Sequence, residues 1–148
     1  MKMLKKDSVP SPYKLWYNNW VSKNAKGKVL DVGKSIFWDY GFTTIDINKK
    51  LNPTFVADIC NSGLTDNIYD VILCNGMYEC VENPLKMMDE VYRMLKVGGM
   101  AIFGFVGKDY KPYMKNWKYY AEDIDFTGFK ILRKKDFNKE YHFIICQK

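Results

Sequence analysis

The stretch that most constrains this chain is Lys28-Val29-Leu30-Asp31-Val32-Gly33, followed by Lys34-Ser35. Its apolar run reads as a short buried strand that ends in a carboxylate and turns on a glycine. In α/β proteins the loop at the carboxyl end of such a strand is where a nucleotide-like ligand sits. The remainder of the chain reads as a sheet assembled beside it.

Two later segments repeat that ending. Residues 43–47 (Thr-Thr-Ile-Asp-Ile) form a second expected strand with Asp46 near its end, and residues 54–57 a short third one followed by Asp58. Only about ten residues separate the first two strands, near the minimum for a parallel crossover, so any helix there is one or two turns. Residues 69–74 (Tyr-Asp-Val-Ile-Leu-Cys) are nearly all apolar, the mark of a central parallel strand covered on both faces. Asn75-Gly76 ends it. Asn83-Pro84 then supplies a helix cap and a first-turn proline. Leu85, Met88, Val91, Tyr92 and Leu95 make the expected buried stripe, and Gly98-Gly99 the expected stop. Residues 100–106 form the fifth strand.

The flanks complete the pattern. Ser11-Pro12 opens an N-terminal helix whose Tyr13, Trp16, Tyr17, Trp20 and Val21 fall on one face. That face reads as a packing surface against the sheet, with an aromatic lid over a ligand as the functional alternative. A third helix is expected over 112–125. Residues 129–134 and 141–146 read as a closing hairpin. Alternation of strand and helix argues for a mostly parallel α/β sheet in one domain. Its parts are an aromatic helix at 1–27, a binding core at 28–106, and a helix with hairpin at 107–148.

An acid at the end of a second strand can accept hydrogen bonds from both ribose hydroxyls of a nucleoside, and Asp46 stands there. The ordered series is more specific. It runs Val-Leu-Asp-Val-Gly, Thr-Ile-Asp-Ile-Asn, Val-Ala-Asp-Ile, then Tyr-Asp-Val-Ile-Leu-Cys-Asn-Gly-Met-Tyr-Glu-Cys-Val-Glu-Asn-Pro, and lastly Met-Asp-Glu-Val-Tyr-Arg-Met-Leu-Lys-Val-Gly-Gly. Over residues 28–106 this resembles the class I S-adenosylmethionine-dependent methyltransferases, and within them the small type 11 group. The resemblance implies a Rossmann-like seven-stranded sheet in the order 3-2-1-4-5-7-6 with the last strand antiparallel and the first helix reduced. It implies S-adenosyl-L-methionine as cofactor. Asp31 and Gly33, with Lys34 and Ser35, would shape the loop under its methionine moiety, Lys34 offering charge to the carboxylate. Asp46 would hold the ribose and Ile47 lie against adenine. Asp58 would accept from the adenine amino group and the Ile59 N–H face the ring. Asn75 and Gly76 would flank the reacting end. The sequence departs from that pattern at Ser35 and Phe37, where the family carries glycines, and at Cys80, where it carries histidine.

Other chemistries are excluded on residue grounds. Gly33-Lys34-Ser35 imitates the tail of a phosphate-binding P-loop, but Lys28 occupies the position that loop needs as glycine. Ser35 and Trp38 break a dinucleotide glycine pattern. No Asn-Pro-Pro-Tyr or Asp-Pro-Pro-Tyr follows the fourth strand, against methylation of DNA base amines. The net charge of +6 comes almost wholly from lysine, with only Arg93 and Arg133 as arginines, so nucleic acid is a less favoured partner than a small-molecule acceptor such as a sugar or metabolite. Four cysteines without metal spacing point to a reducing cytoplasm with no disulfide or metal. No apolar run reaches the roughly 20 residues of a membrane span. The general base is unassigned: Tyr78, Glu79 and Asp109 lie on loops near the site, whereas His142 falls in the last strand. A monomer or homodimer, and a non-catalytic binding protein of the same fold, are the remaining alternatives.

Overall fold

The computed structural model describes residues 2–3, 11–35, 38–107, 126, 128–138 and 140–148. Its strands are β1 (Lys2–Met3), β2 (Val29–Val32), β3 (Trp38–Asp39), β4 (Thr43–Asp46), β5 (Phe55–Val56), β6 (Tyr69–Asn75), β7 (Leu95–Val106), β8 (Lys130–Phe137) and β9 (Tyr141–Gln147). The helices are α1 (Pro12–Asn24) and α2 (Pro84–Met94). Seven strands make one sheet in the order β5-β4-β2-β6-β7-β9-β8, and a separate antiparallel ribbon joins β1 to β3. Counted from β2, the sheet order is 3-2-1-4-5-7-6 as expected. The pairings from β5 to β7 are parallel, and β9 runs antiparallel to both β7 and β8.

The sheet is covered on both faces. On one, Leu30, Ile72, Phe103 and Cys146 pack with Met87, Met88, Val91 and Met94 of α2. On the other, Val29, Leu73, Ile102 and Ile145 pack with Tyr17, Trp20 and Val21 of α1. This double burial accounts for the apolar runs at 71–74 of β6 and 100–106 of β7. It also fixes α1 as a packing helix. Proline at its first turn starts it as expected, but the Ser11 hydroxyl makes no capping bond.

The second helix differs from expectation at its far end. Asn83 caps it, its side chain accepting from the Lys86 N–H at 3.2 Å. Met87 turns inward and Leu85 outward, leaving Leu85 57% exposed. The helix stops at Met94 rather than at Gly98, and Leu95 goes directly into β7 opposite Tyr69. Burial of Leu95 in that pairing competes successfully with another helical turn. The pair Gly98-Gly99 instead lies inside the strand, where the register shifts between Tyr69 and Val71. A Cβ on Gly99 would stand 2.9 Å from the Lys96 carbonyl and 3.1 Å from that of Tyr69, so the backbones approach as only glycine permits.

Between β2 and β4 the described residues contain no helix, only the two residues of β3. The third strand is shorter than expected and β8 longer. The helix expected over 112–125, Phe37 and Asp109 lie outside the described residues.

Candidate functional site

The loop after β2 is tied to β4 before any ligand is considered. Gly33 takes φ +81°, and its N–H donates to the Ile45 carbonyl at 2.8 Å. The positive φ favours glycine, and a side chain there would also have to displace the Met77 thioether. The next N–H, that of Lys34, donates to Asp46 Oδ2 at 2.8 Å, while Asn48 N–H donates to Asp46 Oδ1 at 2.8 Å. Asp46 is thereby fixed by two backbone donors, and each oxygen keeps a lone pair for another. The Ser35 hydroxyl accepts from the Trp38 N–H at 3.2 Å. Lys34 Nζ is directed to the Asn52 carbonyl at 2.9 Å.

The other expected residues sit at neighbouring strand ends. Asp58 Oδ1 accepts from the Cys60 N–H at 2.9 Å and caps the single 3-10 turn Ile59–Asn61. Ile59 is buried, whereas Ile47 is 74% exposed. Asn75 closes β6, and its Oδ1 accepts from the Tyr141 hydroxyl at 2.5 Å. Gly76 takes φ +69° and donates its N–H to the Gly104 carbonyl at 2.9 Å.

All ten expected residues line one pair of adjoining cavities. The larger, of about 470 Å³, is bordered by Asp31, Gly33, Lys34, Ser35, Asn75 and Gly76. The smaller, of about 210 Å³, is bordered by Ile47, Asp58 and Ile59. Asp46 lines both and stands where they meet, together with Met77 and Cys80. Sequence reasoning missed Met77, Cys80, Trp38, Tyr40, Lys14 and Asn18 as wall residues. Met77 follows Asn75-Gly76 directly and Cys80 comes three residues later, and that closeness was the available signal. The rest reach the wall only through the tertiary placement of α1 and β3.

The electrostatics of the larger cavity are unusual. Burial, and then the charge of Asp39, push the Asp31 carboxyl up to about 8, and no positive charge is among the causes. Burial also raises the hydroxyls of Tyr17 and Tyr40, with Asp31 adding to both. The Tyr40 hydroxyl donates to Asn18 Oδ1. Burial pushes Glu79 up to about 7 against bonds from its own and the Val106 N–H groups. Glu79 Oε2 is buried with no hydrogen-bond partner. Of the other base candidates, Tyr78 is a core residue set edge-on to Phe105 with ring centroids 5.3 Å apart. His142 Nδ1 lies 2.7 Å from Asp136 Oδ1 and borders neither cavity.

Known proteins share both sequence and shape with this chain. Residues 32–103 match the family model described as a methyltransferase domain. Over 71 residues the chain is 38% identical to an uncharacterized protein of Methanocaldococcus jannaschii, covering 44% of this chain and 34% of that protein. The chain thus spans 34% or less of the length of the curated relatives it matches. In structure it is similar to a SAM-dependent methyltransferase, possible histamine N-methyltransferase, of Thermotoga maritima. That likeness has a TM-score of 0.66 at 16% identity over 92% of this chain and 96% of that one. It is similar also to the N-methyltransferase NodS of Bradyrhizobium japonicum in complex with S-adenosyl-L-homocysteine, with a TM-score of 0.69 at 14% identity over 91% and 84% of the two chains.

Proposed function

We propose that this chain, a class I methyltransferase fold whose residues 32–103 carry a methyltransferase domain of the type 11 kind, binds S-adenosylmethionine and methylates a small-molecule acceptor. The observation that carries the reading is the meeting of the two cavities at Asp46. A carboxylate already oriented by two backbone N–H groups, with lone pairs to spare, suits a ribose diol. On one side the smaller cavity pairs the apolar surfaces of Ile47 and Ile59 with the Asp58 carboxylate, which fits an adenine ring and its amino group. On the other side the larger cavity carries the polar groups that a methionine end needs and leads to Asn75 and Gly76.

The bound cofactor would supply a methyl group already activated on a sulfonium. The work left to the protein is placement and exclusion of water. An acceptor held in line at about 3–3.5 Å from the methyl carbon would gain rate by orientation. Asn75, held by Tyr141, and Gly76, held by Gly104, give that end of the site a rigid floor.

Titration calorimetry with S-adenosylhomocysteine tests the reading. Binding weakens at least tenfold in Asp46→Ala; equal binding by the two proteins overturns it. One observation favours a second reading, a binding protein without turnover: no helix follows Gly33 among the described residues. Cofactor binding with no methyl transfer to any of a broad set of small amines, alcohols and sugars would support that alternative.

A further inference from the structure

Glu79 is a buried acid that cofactor binding leaves unused. It lies in the turn after β6 and is 2% exposed. Its own N–H and that of Val106, the last residue of β7, donate to it. Oε2 has no hydrogen-bond partner, so both bonds fall on Oε1. The bond from Val106 ties the turn after β6 to the end of β7. A glutamine would make that tie with its amide oxygen and bring no charge into the core. What the acid adds is a second oxygen able to take a proton.

The carboxyl stands beside the reacting end of the site. Gly76 lines the larger cavity, and a Cβ on it would meet the Tyr141 hydroxyl at 3.5 Å and Glu79 Oε1 at 3.8 Å. Lacking a side chain, Gly76 leaves that space open. The Tyr141 hydroxyl gives its one proton to Asn75 Oδ1 at 2.5 Å, so it offers none to an incoming group. No positive charge is among the causes acting on Glu79, whose carboxyl burial pushes up to about 7. A buried carboxylate without a cation favours a ligand that brings the positive charge and N–H donors with it. An alkylammonium, with a pKa of about 10, can pass a proton to such a base. An alcohol, as weak an acid as water at about 15.7, cannot do so to a useful extent. A phenol matches the ammonium in acidity but brings no positive charge.

We infer that the methyl acceptor is a primary or secondary amine, and that Glu79 is the catalytic carboxylate that pairs with its ammonium and takes a proton from it. The nitrogen lone pair so freed forms the bond to the methyl carbon. The carbon–sulfur bond breaks with its electron pair left on sulfur, which turns the sulfonium into a neutral thioether. The methylated amine leaves as an ammonium, and Glu79 returns its proton to water. This rests on the proposed function and names the acceptor class for that same site.

The experiment supplies methyl-labelled S-adenosylmethionine to the wild-type chain and to Glu79→Gln, which keeps an oxygen for the Val106 N–H. Putrescine, spermidine and benzylamine are offered as amines, and glucose, glycerol and catechol as oxygen acceptors. The wild type is expected to methylate at least one amine, and Glu79→Gln to lower kcat/KM for that amine at least thirtyfold. Titrated into protein saturated with S-adenosylhomocysteine, the same amine should bind at least tenfold more weakly to Glu79→Gln. S-adenosylhomocysteine itself should bind the variant within threefold of wild type. Methyl transfer to the oxygen acceptors alone, or to none of the six, overturns the inference and leaves the cofactor reading standing. So does a smaller loss than these in Glu79→Gln. Loss of S-adenosylhomocysteine binding in that variant also overturns the inference, since the carboxyl would then serve the shape of the site. Wild-type protein that does not bind S-adenosylhomocysteine overturns the proposed function and the inference together.

Discussion

Replacing Asp31 by asparagine should stabilise the ligand-free protein, and by more as the pH rises. The exchange keeps the shape of the side chain and removes its charge. Burial and Asp39 raise the folded-state value from 3.8 to about 8. Between those two values the unfolded chain has lost this proton and the folded chain retains it. Stability therefore falls as pH rises through the window, with a slope near 1.36 kcal/mol per pH unit for one group. From pH 5 to pH 7 the wild type loses about 2–3 kcal/mol on this account, a loss Asp31→Asn does not share. Any constant packing difference between the two side chains cancels in the comparison, as does Glu79, whose raised value acts in the same direction in both proteins. At about 2–4 °C per kcal/mol for a chain of this length, the gap in melting temperature should widen by about 5–10 °C between pH 5 and pH 7. Thermal unfolding followed by circular dichroism at a series of pH values measures it. A gap that stays constant across that range, or narrows, would refute the reasoning. The same variant should bind S-adenosylhomocysteine less tightly, a gain in stability taken at the expense of the site.

Three other outcomes follow from the structure. Gly104→Ala should cost about 1–3 kcal/mol in urea unfolding. Its Cβ would fall 2.0 Å from Asn75 Oδ1 and 2.9 Å from the Phe143 ring. Asn83→Ala removes the cap of α2 and should cost about 1 kcal/mol in the same assay. Glu90, held down to about 2 chiefly by its bonds to Arg93, contributes stability that is present above its ordinary 4.5 and lost as pH falls toward 2. Glu90→Gln should therefore flatten the acid side of the stability profile.

The parts of the fold legible in the sequence were those decided by burial and local chemistry. Strand β6 shows itself because both its faces are covered, and α2 begins where Asn83 and Pro84 direct it. The sheet order came from the family resemblance and not from periodicity. What stayed hidden depends on partners far along the chain. Leu95 looks like the last turn of a helix until Tyr69 is placed opposite it, and Gly98-Gly99 looks like a stop until β6 is laid against it. The pairing of Lys2–Met3 with Trp38–Asp39 has no local signature at all. The site divides in the same way. Asp31, Asp46, Asp58 and Asn75 announce themselves by ending strands, because the carboxyl edge of a parallel sheet gathers strand ends. Lys14, Asn18 and Tyr40 join them only because α1 packs across the sheet beside that edge, and helical periodicity alone marks Asn18 as an ordinary polar position.

The most direct test of the central claim is a crystal structure of the chain with S-adenosylhomocysteine. The account predicts adenine against Ile47 and Ile59 with its amino group at Asp58, both ribose hydroxyls on Asp46, the sulfur near Asn75 and Gly76, and the methionine end in the larger cavity. A nucleoside placed away from Asp46, or cavities left empty at saturating ligand, would contradict it.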